Sequence, residues 1–418
     1  MSILSAPKNL TRNVLIGMAL GVLIAAFFHY YLSSSALFSY VEKYIFNIGG
    51  QVFKNLLMLV VVPLVFFSLV SGISSLSNMV KLGSIATKTV GLYLFTTGLA
   101  VTTALIFGWV FNLSGYEGEV ASFIPIAGEA SLYETVLRIF PNNIFGAFVE
   151  NNMLGIVFVS ILFGIALNLT DDLTGGLSKT FERLNIVFLK IVLLIMSFAP
   201  LGVFCLMGSY VMAKGLNIFG DLAQYVVLLI FVLLFHLIVT YSLMLKIFAN
   251  LNPFIFFRKM RNVALFAFST SSSAATIPVT LKTVTDDLGV KKDVSSFVIP
   301  VGATINMDGT AIMQGLATMF IASTVGVDLS LIQYVQIVFL AIITSIGTAA
   351  VPSAGTVTLA LILGSVGLPL DAIGLILAVD RILDMIRTSV NVCGDATVSC
   401  IVAKSENELE EEIFNKLG

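Results

Sequence analysis

The 418-residue chain is 58% hydrophobic and only 11% charged, with a mean hydropathy of +1.02. Soluble globular domains carry about 25% charged residues, so a soluble enzyme or binding module is excluded and the predicted partner is a lipid bilayer. The formal net charge of −2, without a basic patch or nucleic-acid-binding motif, excludes a nucleic-acid partner.

Lys8 and Arg12 precede an apolar run over 14–28, as in a signal peptide. His29, Tyr30 and Tyr31 follow where a cleavage site needs small residues, so the run is read as a retained first span. Further runs long enough to span cover about 45–73, 90–113, 154–169, 186–212, 222–248, 297–322 and 373–402. Lys8, Arg12, Lys81, Lys88, Lys179, Arg183, Arg258, Lys259, Arg261, Lys282, Lys291, Lys292 and Lys404 fall on alternate connections. The opposite connections carry mainly Glu117, Glu119, Glu129, Asp328 and Asp371, with Lys43, Arg138 and Lys214 as exceptions. The positive-inside rule then predicts a multi-pass cell (inner) membrane protein with both termini cytoplasmic. Cys205, Cys393 and Cys400 lack disulfide or zinc spacing and read as packing residues. His29 and His236, alone in apolar runs, read as core or interfacial residues.

Two further apolar stretches have arms too short to cross. In the first, 254–268 and 277–281 flank the polar run 269–276, with Pro278 just beyond. In the second, 334–343 and 357–363 flank 345–355, which contains Gly347, Pro352 and Gly355. Both read as re-entrant helical hairpins with broken polar tips. Two kinked ordinary spans are the alternative, but these would put Lys282 and Lys292 on the wrong side. Each hairpin precedes a span with a polar centre, and paired interrupted segments of this kind mark inverted-repeat secondary transporters. The predicted fold is an all-α polytopic membrane protein of eight transmembrane helices plus two re-entrant helical hairpins in inverted repeats.

The span after the first hairpin contains Thr304-Ile305-Asn306-Met307-Asp308-Gly309-Thr310. Asn306 and Gly309 are poor helix formers, and Asp308 is too costly for lipid, so the helix is predicted to unwind here. Freed carbonyls beside a carboxylate are hard ligands for a small cation such as sodium. A polar kink packed against its neighbours is the alternative.

The last span carries Asp380, Asp384, Arg387, Thr388, Asn391 and Asp395, at offsets of 4, 7, 8, 11 and 15 from the first. On an α-helix these fall on one stripe about 100° wide. Its four charges would cost about 10 to 14 kcal/mol against lipid, so the stripe is predicted to face protein, water or a bound solute. Structural ion pairs are the bland reading and a functional site the default one.

The run NMDGT at 306–310, the serine-rich tip at 271–273, the tip at 347–355 and the segment DRILDMIRTSVNVCGD at 380–395 resemble the dicarboxylate/amino acid:cation symporters, which include excitatory amino acid and archaeal aspartate transporters. The resemblance implies that Asp384 receives the substrate's amino group and Arg387 its side-chain carboxylate. Thr388, Asn391 and Thr310 would bind the main carboxylate and amino group, and Ser271, Ser273, Val351 and Gly355 would close over the substrate. Arg suits this role because its planar fork pairs a carboxylate bidentately and stays charged when buried.

For coupling ions the resemblance implies sodium and no organic cofactor. One ion would sit at Asp395 with Gly302, Asn306 and Asn391, and a second at Tyr93, Thr96, Thr97, Asn306 and Asp308. A third would lie near Thr304, Met307, Ser345, Ile346 and Thr348. The resemblance further implies a homotrimer working as an elevator. Residues 1–80 and 114–215 would form the scaffold, and 81–113 and 216–418 the transport domain, with hairpins at 254–285 and 331–365 and a cytoplasmic tail.

The chain departs from the pattern at Asp380, whose compensating arginine stands elsewhere in the family at the positions of Ser271 or Met385. Arg381 is close in sequence but projects about 100° away. Gln314 replaces a glutamate of the proton-coupled, potassium-exchanging animal members. The expectation is sodium-coupled aspartate or glutamate uptake, with proton-coupled uptake of C4-dicarboxylates or glutamate as the alternative. A channel would also carry polar rings and re-entrant loops but needs no fixed Arg387/Asp384 pair. No Ser/His, Cys/His, paired-Asp or HExxH motif suggests an enzyme.

Overall fold

The computed structural model describes residues 10–75, 83–113, 137, 139–150, 152–348 and 354–416. They are nearly all helical, and among them extended pairing is confined to an isolated bridge between Val290 and Leu409. The main helices are α1 (Leu10–Tyr31), α2 (Ile48–Ser75), α3 (Ser84–Val110), α4 (Met153–Leu169), α5 (Leu177–Met196), α6 (Ala199–Lys214) and α7 (Ile218–Phe235). A π-helical turn, His236–Thr240, joins α7 to α8 (Tyr241–Ala249). Among the described residues, three helical stretches are long and apolar enough to cross a membrane, Arg12–Tyr31, Ser84–Val110 and Leu222–Ala249, or four if the bent pair Leu177–Met196 and Ala199–Ala213 is one span.

The run 186–212, expected as one span, contains a break between α5 and α6 with a bend of 57°. Pro200 sits in the first turn of α6. Its missing N–H is harmless only at a helix start and its fixed φ suits one, so a new helix begins here while the apolar run continues.

Each interrupted stretch forms a pair of helices. The first comprises α9 (Pro253–Thr270) and α10 (Ser273–Lys282). Ser271 turns the chain in the left-handed region at φ 49°, and Ser272 Oγ accepts the Ala275 N–H at 3.2 Å to start α10. The arms return on themselves, because Lys259 Nζ near the start of α9 donates to the Asp287 carbonyl at 2.7 Å. After α11 (Lys292–Ile305) and α12 (Asp308–Thr324) comes the second pair, α13 (Leu331–Gly347) and α14 (Ala354–Ser365). Here Gln333 Nε2 near the start of α13 donates to the Val366 carbonyl just past α14 at 3.0 Å. The tip residues 349–353, including Val351, lie outside the described residues.

The predicted break in the span 297–322 falls at Asn306–Met307, between α11 and α12. From Asp308 to Ala322 every residue of α12 is buried, as expected of a helix packed on all sides. Its neighbours are α3, α7, α13, α14 and α15 (Ile373–Ser405). Elsewhere α1 packs on α6, and α2 on α4 and α5. At the chain's end, α16 (Glu411–Asn415) buries Phe414, and Lys259 donates to the carbonyls of Ile413 and Phe414 at 2.8 and 2.7 Å. Lys88 pairs with Glu406 at 2.6 Å, Lys291 with Glu408 at 2.6 Å, and Lys404 with Glu411.

Candidate functional site

The six stripe residues of α15 are all buried. Arg387 Nη1 lies 2.9 Å from Asp380 Oδ1, and Nη2 lies 2.5 Å from Asp384 Oδ1. One guanidinium thus joins two carboxylates spaced seven and three residues before it, as helical periodicity allows. Asp380, whose partner the sequence left open, is paired with Arg387. Arg381 lies 3.7 Å from Asp384 Oδ2 instead. Thr388 Oγ1 donates to the Asp384 carbonyl at 2.7 Å, within its own helix.

The helix break meets α15 one turn further along. Gly309 N–H donates to Asn391 Oδ1 at 2.7 Å, and Asn306 Nδ2 donates to Asp395 Oδ1 at 3.0 Å. Glycine is required at both approaches. A Cβ at Gly309 would lie 2.7 Å from the Arg387 carbonyl, and one at Gly302 would lie 2.5 Å from Asp395 Oδ1 and collide with the Tyr93 hydroxyl.

From α3, Thr97 Oγ1 donates to Asp308 Oδ1 at 2.8 Å, while Thr96 Oγ1 lies 3.1 Å from Asn306 Oδ1 and 3.2 Å from Asp308 Oδ1. Tyr93 donates to the Val298 carbonyl at 2.9 Å. Hydroxyl, amide and carboxylate oxygens from α3, the α11–α12 break and α15 therefore converge in a fully buried place. They are hard donors suited to an alkali cation.

The remaining predicted residues are less convergent. Ser345 Oγ bridges the break by donating to the Ile305 carbonyl at 2.6 Å and accepting the Met307 N–H at 3.0 Å. Ile346 is half-buried, and Thr348 Oγ1 donates to Thr344 O and lies 3.3 Å from Thr358 Oγ1. Thr304 is exposed and bonds its own helix at Val301 O, so it is not brought to the cluster. Thr310 Oγ1 approaches Met307 Sδ at 4.0 Å, and a Cβ at Gly355 would lie 2.6 Å from Thr310 Cγ2. Ser273 is buried, as is Ser271, whose hydroxyl has no hydrogen-bond partner among the described residues.

Two residues outside the predicted set belong here. Tyr241 donates to Asp308 Oδ2 at 2.8 Å, and His236 Nε2 lies 3.3 Å from the same oxygen. Gln314, in place of a titratable group, donates to Thr358 Oγ1 at 2.9 Å and Gly355 O at 3.4 Å and accepts from Thr344 at 3.2 Å.

The model of the sodium:dicarboxylate symporter family matches residues 10–405. A proton/sodium-glutamate symport protein of Geobacillus stearothermophilus is 30% identical over 414 residues, covering 97% of this chain and 96% of that one. A proton/glutamate-aspartate symporter of Escherichia coli K12 is 31% identical over 417 residues, covering 97% and 94%. Excitatory amino acid transporter 3 of Mus musculus is 31% identical over 455 residues, covering 95% and 85%.

Proposed function

The chain belongs to the sodium:dicarboxylate symporter family, a family of membrane transporters rather than enzymes, and from that premise we propose that it imports aspartate or glutamate in symport with sodium by alternating access. The observation that carries this reading is Arg387, buried between Asp380 and Asp384. An acidic amino acid brings two carboxylates and one ammonium. Its side-chain carboxylate takes the Arg387 fork in exchange for Asp384, and Asp384 turns to the substrate's ammonium, so no charge is left alone in a dry site. Thr310, Thr388 and Asn391 then orient the main carboxylate, and Ser271, Ser273, Val351 and Gly355 close over it from the hairpin tips.

Sodium fits the oxygens gathered at Asp308 and Asp395. One ion is assigned to Asp395, Gly302, Asn306 and Asn391, and a second to Tyr93, Thr96, Thr97, Asn306 and Asp308. The third set keeps Ser345 and Met307 at its centre, with Ile346 and Thr348. Thr304 requires a rearranged α11 to join it.

Eight spans and two re-entrant hairpins, both termini cytoplasmic, complete the reading. The four lysines Lys88, Lys259, Lys291 and Lys404 all engage the C-terminal segment, which supports placing them on one side of a cell membrane. Packing of α3 on α12 and α13, and of α1 on α6 and α2 on α4 and α5, supports a transport domain of 81–113 and 216–418 carried past a scaffold of 1–80 and 114–215. A homotrimeric elevator is the assembly proposed.

Proton coupling is the second reading, since the name of the Escherichia coli relative gives the proton alone and that of the Geobacillus relative gives proton and sodium together. Gln314 cannot carry a proton through the cycle, which favours sodium. Uptake into proteoliposomes under a sodium gradient alone is the test. Concentrative aspartate uptake supports sodium symport, whereas accumulation only under a pH gradient, or of succinate as readily as aspartate, overturns it. Mere equilibration would indicate a channel.

A further inference from the structure

We infer that Tyr241, with His236, is a positioning device that makes Asp308 a one-oxygen ligand for a coupling sodium. This rests on the reading of Asp308 as a sodium ligand. The carboxylate is divided: Oδ1 faces Thr97 at 2.8 Å and Thr96 at 3.2 Å, while Oδ2 accepts from Tyr241 at 2.8 Å and lies 3.3 Å from His236 Nε2. The Tyr241 oxygen is also 3.3 Å from the Val390 carbonyl, but a phenol has one proton. The shorter, charge-assisted contact takes it. A carboxylate only accepts, so His236 presents a protonated Nε2 to it.

The chain is folded specially to make this contact. On an α-helix, residues five apart are separated by about 140°, which would send His236 and Tyr241 to different faces. The π-helical turn His236–Thr240 has i→i+5 bonding, so residues five apart sit nearly over one another. The two rings accordingly meet edge to face with centroids 4.8 Å apart, both fully buried. Gly394 supplies the room, since a Cβ there would lie 2.5 Å from the Tyr241 oxygen and 2.8 Å from Asn306 Nδ2. An otherwise unfavourable turn thus aims two donors at the oxygen facing away from α3. The outer oxygen cannot swing toward the ion, and Oδ1 stays where Thr96, Thr97 and Asn306 need it.

The test is the sodium dependence of aspartate binding by the purified full-length chain. Outer hydrogen-bond partners typically contribute about 10- to 100-fold to metal affinity. Tyr241→Phe, which removes one oxygen, is expected to raise the sodium concentration for half-maximal binding about tenfold, at unchanged aspartate affinity in saturating sodium. A uniform loss of aspartate affinity at every sodium concentration, or no change, overturns the inference. Should Tyr241→Phe fail to fold, His236→Leu and His236→Gln decide, the expectation being a smaller shift for Gln, which keeps an N–H donor; equal shifts overturn it. Asp308→Asn separates the two readings. If it leaves sodium dependence intact, Asp308 is not a ligand and the underlying assignment fails; if it abolishes dependence while Tyr241→Phe is silent, only the positioning role fails.

Discussion

Arg387 and Asp380, seven residues apart on one helix, form a buried ion pair of 2.9 Å. The same guanidinium holds Asp384 at 2.5 Å, so a group suited to an anionic substrate is balanced by two carboxylates of its own chain. Burying such charges costs several kcal/mol per ion and is repaid only while all partners are in place.

Neutralising Asp380 therefore has two separable effects. Asp380→Asn is expected to destabilise the unliganded protein by about 3 kcal/mol, because half of the Arg387 charge balance is removed. A substrate carboxylate restores that balance, so the rise in Tm on adding aspartate should exceed that of the wild type. An equal or smaller rise would show that Asp380 does not share Arg387 with the substrate.

Gly302 is held to glycine by Asp395 Oδ1 and the Tyr93 hydroxyl. Gly302→Ala forces apart the oxygens assigned to one sodium, and overpacking of this kind costs about 1 to 3 kcal/mol. The sodium requirement for aspartate binding should rise by about tenfold or more. Sodium titration of a fluorescence or calorimetric binding signal measures it directly.

At the C-terminal end, hydrogen bonds from Lys88 and then Ser84 hold the Glu406 carboxyl below its ordinary value of 4.5. A depressed carboxyl stabilises the fold above its unfolded pKa and loses that contribution as pH falls through the folded value. The tie between α3 and the end of α15 is therefore complete at neutral pH and released only below about pH 4.5. Hydrogen exchange at residues 84–90 should stay constant from pH 8 to pH 5, after correction for intrinsic rates, and should rise at neutral pH in Glu406→Gln.

The charged stripe was legible because charge in lipid is costly and helical spacing is regular, so spacing alone puts Asp380 to Asp395 on one face. Asn306 to Gly309 was legible as a break for a related reason, poor helix formers beside a carboxylate. His236 and Tyr241 were not, since α-helical periodicity puts them on different faces and only the π-helical turn aligns them. The bend before Pro200 was also missed, because hydropathy reports apolarity and says nothing of direction. Thr304 lies in the motif by sequence but faces outward, as the break begins only after Ile305.

The most direct measurement is aspartate binding to the wild type and to Arg387→Ala at high and low sodium. Wild-type affinity should rise with sodium, and the variant should lose aspartate binding at both, since truncating a buried charge partner costs about 2 to 5 kcal/mol. Retained aspartate affinity in Arg387→Ala, or wild-type affinity indifferent to sodium, would contradict a sodium-coupled acidic amino acid symporter built around Arg387.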